Sequence, residues 1–268
     1  MSDLVAAFGA PWIATVLLLS ARLSALFLMT PVFHALPVPP SVRMLLAIGL
    51  AAALALPLSE GAVPAPAGLG PLVASFLQEF AVGATLGLGI MMAFSGFAVA
   101  GRLLDVQVGF GMGQVFDPVT RTQVPVLTSA FSLFGVLLFF LVNGHHALLR
   151  GIAYSLERFP VGQPWSLAAA AGPVLQQAAG LFTLGFALAA PVVLCLLMVE
   201  FALGVIARNL PQMNMFVLGI PVKIVAGLLA LSLWAGGMGE VTLRIYAEIY
   251  RTWTAMFEQV PAAPGGRR

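Results

Sequence analysis

Apolar runs separated by short polar breaks set the outline of this chain. Pro11 to Thr30 is apolar except for Arg22 near its middle, and is long enough to cross a hydrocarbon core of about 30 Å as a helix. Prolines 31, 37, 39 and 40 break the chain around His34. Arg43 then opens MLLAIGLAAALALPL, a run too short to span comfortably. The stretch from Ser59 to Pro71, SEGAVPAPAGLGP, has the composition of an exposed, semi-extended linker. Leu72 to Ala100 is longer than a span requires, carries Gln78 and Glu79, and sets Gly83, Gly87 and Gly89 at close spacing. Small residues at i and i+4 let helix backbones approach, either within one subunit or between subunits. Val124 to Val142 is the cleanest spanning candidate and ends at Asn143-Gly144, a pair suited to a helix C-terminus.

In the second half, SLERFPVGQPW from Ser155 to Trp165 is a polar interruption that predicts a boundary. Leu167 to Glu200 is apolar but contains Pro173, Pro191, Gln176 and Gln177, which predicts a short helix followed by a long one. RNLPQMNMFVLGIPVK reads as a turn holding Arg208, Pro211, Gly219, Pro221 and Lys223. Ile224 to Trp234 then completes a helical hairpin closed by Gly236, Gly237 and Gly239. From Glu240 to Val260, Ile245, Ile249, Trp253 and Met256 or Phe257 form an apolar stripe at helical spacing. The opposite face pairs Glu240 with Arg244 and Glu248 with Arg251. A helix of this kind lies on a membrane surface or docks on a partner subunit. The tail, PAAPGGRR, reads as disordered. The pattern predicts an all-α integral membrane protein of about six hydrophobic helical segments with an amphipathic C-terminal helix.

Composition strengthens that reading. Hydrophobic residues make up 60% of the chain and charged residues 8%, against roughly 25% charged for a soluble domain. The mean hydropathy is +1.03. The formal charge is only +2 and the cations are scattered, so nucleic acid finds no electrostatic footprint. Cys195 is the single cysteine, which rules out a disulfide or a thiolate zinc site within the chain. His145 and His146 are adjacent and would diverge by about 100° on a helix, whereas helical zinc ligands come at i and i+4. No spaced motif joins Ser, His and Asp into a nucleophile. The sequence therefore offers no catalytic, cofactor-binding or metal residues, and the expectation is a protein that is not an enzyme. The amino terminus, MSDLVAAFGAPW, lacks the basic region and cleavage site of a secretory signal, so the first apolar run reads as retained.

Two groups of residues invite chemistry. Arg22, Glu79, Asp105 and Glu200, with Arg208 and Lys223 at the turn, are candidates for intramembrane ion pairs or subunit contacts, and ionisable groups in such segments can also form a relay. The second group lies in DVQVGFGMGQVFDPVTRTQVPVL, a loop expected at about 105–123. Gly109, Gly111 and Gly113 alternate with Phe110 and Met112, and each glycine costs a helix interior roughly 1 kcal/mol relative to alanine. The chain is therefore expected to leave regular helix here, and Asp117-Pro118 restarts it. Met112, Phe110, Val115 and Phe116 on a pliable backbone would make a compliant, water-excluding seal. A re-entrant turn packed on its own helices satisfies the same composition.

The order of four segments is more specific than any of these features. RLSALFLMTPVFHALPVPPSVRMLLAIGLA, GFGMGQVFDPVTRTQVPVL, LFFLVNGHHALLRGIAYSLERFPVG and LGVIARNLPQMNMFVLGIPVKIVAGLLAL together resemble the FliR/SctT family of type III secretion export-gate proteins, from about Trp12 to about Phe257. The DPV…QVPVL and NGHH segments favour its flagellar branch over the injectisome branch. The resemblance implies a bacterial inner-membrane protein of the flagellar basal body that is not an enzyme. It implies assembly with FliP and FliQ, in association with FlhB, into a gate for unfolded rod, hook and filament proteins. It implies a FliP-like part over 1–160, a FliQ-like hairpin over 161–239, and an amphipathic helix and tail over 240–268. It also assigns the pore plug to Gly109, Phe110, Gly111, Met112, Gly113, Val115, Phe116, Asp117 and Pro118. In such assemblies the helices form bent hairpins, much of them above the bilayer. A secondary transporter of small solutes is the reading from another class, and it would require inverted repeats that the sequence does not display.

Overall fold

The computed structural model describes residues 9–35, 38–57, 68–110, 115–116, 123–163, 165, 167–210, 212 and 215–258. The elements in order are α1 (Ala10–Met29), α2 (Val32–Ala35), α3 (Pro40–Ala55), α4 (Leu69–Val108), β1 (Val115–Phe116), β2 (Gln123–Val124), α5 (Val126–Leu141), α6 (Gly144–Arg158), α7 (Leu167–Asn209), α8 (Met215–Trp234), a 3-10 turn (Ala235–Gly237) and α9 (Met238–Glu258). The protein is an all-α membrane protein, with one two-residue antiparallel ladder among the described residues. Among the described residues, four helical stretches are long and apolar enough to cross a membrane, one further pair is bent by 73°, and Pro40–Ala55 is a shorter apolar helix.

The helices are longer than the hydrophobic pattern alone requires. The 40 residues of α4 and the 43 of α7 correspond to about 60 Å or more at 1.5 Å per residue. Even at a tilt of 40°, a 60 Å helix spans about 46 Å along the membrane normal, well beyond a core of about 30 Å. Each therefore carries a substantial portion outside hydrocarbon.

Several boundaries differ from expectation. The expected short and long helices over 167–200 are one helix, running through Pro173 and Pro191 to Asn209. Pro221 likewise lies inside α8, so Gly219, Pro221 and Lys223 belong to a helix rather than to the turn. Proline removes one backbone bond, but in apolar segments neighbouring groups satisfy the freed carbonyl and the helix continues. Helix α4 starts at Leu69, which places Pro71 in its first turn, where a proline costs little. The linker residues 58–67 lie outside the described residues, as does the tail from 259 onward. The expected clean span over 124–142 is a 16-residue helix, too short to cross alone. Asn143 takes a left-handed conformation (φ 57°), and α6 departs from there across the 73° bend. That helix continues to Arg158, so the polar interruption begins at Phe159 rather than Ser155.

The chain forms two compact units. One contains residues 1–91, 143–177 and 249–268; the other contains 92–142 and 178–248. In the first, α3 lies against α1 and buries only Ala47, Ala51 and Ala55, a stripe at i, i+4 and i+8. Gly83 and Gly87 of α4 serve close approach within this chain: a Cβ at Gly83 would sit 2.0 Å from the Arg22 carbonyl oxygen, and one at Gly87 would sit 2.8 Å from Met29 Cβ. The stripe of the last helix is covered by the chain itself rather than by a membrane surface or another subunit. Trp253, Met256 and Phe257 are buried, the Trp253 indole N–H donates to the Leu86 carbonyl, and Phe257 packs on Tyr154 and Phe159. In the second unit, Phe94, Phe97, Phe139 and Tyr246 form an aromatic cluster, and the Tyr246 hydroxyl donates to the Gly135 carbonyl. Helices α7 and α8 fold back as a hairpin whose outer faces expose Phe182, Phe186, Phe201, Leu229 and Leu233. Faces of that kind require hydrocarbon or a partner.

Candidate functional site

The segment between α4 and α5 is held at both ends, by different chemistry at each. On the upstream side α4 ends at Val108, so Asp105 and Gln107 are helical and the departure comes at Gly109, whose φ of 96° suits glycine and few other residues. This stem rests on the α7–α8 hairpin. Gln107 Nε2 donates to Glu200 Oε2 at 3.0 Å, and Lys223 Nζ donates to Glu200 Oε1 at 2.7 Å. Val108 occupies the space where Gly227 has no side chain, since a Cβ there would lie 2.7 Å from it. The pair is partly open to its surroundings, with Lys223 17% and Glu200 48% exposed.

On the downstream side the start of α5 has no cap of its own. Pro125 stands at the N-cap position and has no side-chain acceptor, while the first N–H groups of a helix have no intrahelical partners. Asp105 supplies them. Its Oδ1 accepts from the Leu127 N–H at 2.8 Å, and its Oδ2 accepts from the Thr128 N–H at 2.9 Å and from the Thr128 hydroxyl at 2.7 Å. One turn earlier, Gly101 lets the two backbones meet, because a Cβ there would lie 2.5 Å from Thr128 Cα. Between the stems the chain pairs with itself in the antiparallel ladder Val115↔Val124 and Phe116↔Gln123.

Of the residues assigned to a plug, Gly109 and Phe110 are half-exposed at the end of α4, and Val115 and Phe116 form β1. Gly111, Met112, Gly113, Asp117 and Pro118 lie outside the described residues. The ionisable candidates divide into three groups. Arg22 and Glu79 meet, both 2% exposed, with Nε and Oε2 2.6 Å apart. Arg22 Nη1 also donates to the carbonyl (3.3 Å) and hydroxyl (3.2 Å) of Ser155, and Nη2 to the Phe159 carbonyl at 3.0 Å. The second Glu79 oxygen accepts from the Gly162 N–H at 2.9 Å. The guanidinium thus sits on the C-terminal carbonyls of α6, the end of a helix where positive charge is favoured. Glu200 and Lys223 form the second pair. Asp105 is bound by N–H and hydroxyl donors, and Arg208 is exposed in the last turn of α7, where its charge complements the helix dipole.

The residues that complete these sites, Thr128, Gln107 and Ser155, gave little local signal. The readable one was Pro125, a helix start that cannot cap itself. Among the described residues, no three His, Cys, Asp or Glu side chains converge as metal ligands would.

A sequence profile of the family described as bacterial export proteins, family 1, matches residues 13–249. The chain belongs to this family. Among bacterial export proteins, the flagellar biosynthetic protein FliR of Bacillus subtilis is 34% identical to it over 80% of this chain and 83% of its own length. The FliR of Pectobacterium carotovorum is 28% identical over 89% of this chain and 91% of its own length. The secretion system apparatus protein SsaT of Salmonella typhimurium is 26% identical over a shorter stretch, 57% of this chain and 60% of its own. Membership of the FliR/SctT family, expected from four sequence segments, is established on this ground, and the apolar helices make this bacterial export protein a membrane protein.

Proposed function

We propose that this chain is a non-enzymatic subunit of the flagellar type III secretion export gate, in the bacterial inner membrane at the flagellar basal body. It assembles there with FliP and FliQ, in association with FlhB, and unfolded rod, hook and filament proteins pass through the conduit. The part over 1–160 corresponds to a FliP-like fold, 161–239 to a FliQ-like hairpin, and 240–268 to an appended helix and tail. Support for the second of these comes from Glu200 and Lys223, which pair across the α7–α8 turn as facing positions of a hairpin do.

Residues 109–118 act as the stopper of that conduit. The observation that carries this is the strap itself. A segment bearing Phe110, Met112, Val115 and Phe116 leaves a long apolar helix at Gly109 and returns to another at Val126, with both ends fastened. Bulky apolar side chains at a constriction exclude water, and a bend of this kind yields to a passing chain while resealing behind it. Deleting 109–116 tests the reading. The gate should still assemble with FliP and FliQ but pass ions or a small dye. Normal assembly with wild-type tightness refutes it.

The likeness to SsaT motivates a second reading, an injectisome gate of the same mechanism and different cargo. The greater share of the chain covered by FliR relatives favours the flagellar one. Complementation of a motility-deficient fliR strain separates the two.

A further inference from the structure

We propose that Asp105 is the positioning residue of this seal: its carboxylate staples the start of α5 to the end of α4, the two points from which the intervening segment departs and to which it returns. The inference rests on reading that segment as the stopper. Asp105 is not itself in the strap. It sits four residues before Gly109, on the helix that precedes it, and is 3% exposed.

The geometry is that of a helix cap delivered from a distance. Leu127 and Thr128 are the second and third residues of α5, the positions whose N–H groups an N-cap side chain ordinarily receives. Asp105 takes one on each oxygen and adds the Thr128 hydroxyl, so three donors converge on one carboxylate. Bonds of this kind are charge-assisted, and a negative group is favoured at a helix N-terminus. Gly101 brings the two backbones into close approach beside these bonds. A single residue, Pro125, separates β2 from α5, so the ladder that draws the strap together lies directly against the staple.

Asp105→Asn is the informative change, because it keeps the shape of the side chain. The amide has one oxygen for two N–H donors, and its NH2 faces a donor. In gates purified with their partner subunits and reconstituted in vesicles, dye efflux per assembled complex should rise about 5- to 30-fold over the wild type, the change in an opening equilibrium that loss of such a fastening produces. Thr128→Val removes only the hydroxyl bond and should give a smaller rise. A carboxylate that merely stabilised the fold would lower the yield of complex without changing efflux per complex. Three outcomes are decisive. If the 109–116 deletion leaks and assembled Asp105→Asn does not, the staple is wrong and the stopper stands. If neither leaks, the stopper reading fails and the staple with it. If Asp105→Asn does not assemble, Thr128→Val decides, and wild-type efflux from that variant overturns the inference.

Discussion

Replacing Arg22 by methionine leaves the Glu79 carboxylate buried, with the Gly162 N–H as its remaining donor, and strips the charged donor from the Ser155 and Phe159 carbonyls at the end of α6. Breaking a buried pair by removing one partner costs about 3–5 kcal/mol, because the surviving charge stays desolvated. Glu79→Met costs a similar amount by stranding the cation. Removing both charges is different in kind. Well-packed apolar replacement of a buried pair is often neutral, and what persists here is the loss of hydrogen bonds to two carbonyls and one N–H, at about 1 kcal/mol each, since the Ser155 hydroxyl keeps its own bond to the Ile152 carbonyl. The double variant should therefore be destabilised by about 3 kcal/mol, against a sum of about 6–10 for the two singles, which is a coupling of at least 3 kcal/mol. The assay is denaturation of the full-length chain in bicelles, followed by tryptophan fluorescence, for the wild type, both singles and the double. Additivity within about 0.5 kcal/mol would refute the reasoning, because it would mean that neither charge depends on the other for its solvation.

Two further substitutions test the packing account. Gly83→Ala puts a Cβ 2.0 Å from the Arg22 carbonyl oxygen, so α1 and α4 must separate, at a cost of about 1–3 kcal/mol or more in the same denaturation assay; unchanged stability would contradict the close approach. Arg244→Ala breaks an exposed i, i+4 pair with Glu240 whose side chains are 68% and 76% accessible, and should shift stability by less than about 0.5 kcal/mol. A larger effect would contradict the reading of this pair as a solvent-exposed helical contact.

The sequence made the anomalies visible and left their solutions hidden. An arginine inside an apolar run announces that it must pair, and Glu79 stood among the candidates. That Arg22 also closes the end of α6 is not readable, because Ser155 lies 133 residues away in a stretch whose composition predicts an interruption. The prolines misled for a related reason. The rule that proline ends a helix describes a segment in water, where the freed backbone groups are readily solvated. In 167–209 and 215–234 the alternative to helix is unpaired backbone in apolar surroundings, and the helix persists through Pro173, Pro191 and Pro221. The stripe of α9 shows a third limit: period fixes that a face is buried, whereas identifying what buries it needs the path of the chain, and here the cover is Leu86, Tyr154 and Phe159.

The loop base joins these lessons, because there an absence in the sequence carries the information. A helix beginning after Pro125 has orphan N–H groups at Leu127 and Thr128 and no acceptor of its own. Buried donors do not go unpaired without cost, so an acceptor has to arrive from elsewhere in the chain. A carboxylate is the strongest group that could serve, and Asp105 stands one helical turn before the break that starts the strap. Its position is what gives the arrangement mechanical sense. An acceptor on another helix would have capped α5 equally well, but one at the foot of α4 ties together the two points between which the strap is slung. The same three bonds that complete a helix terminus thereby fix the span of the segment proposed to close the conduit.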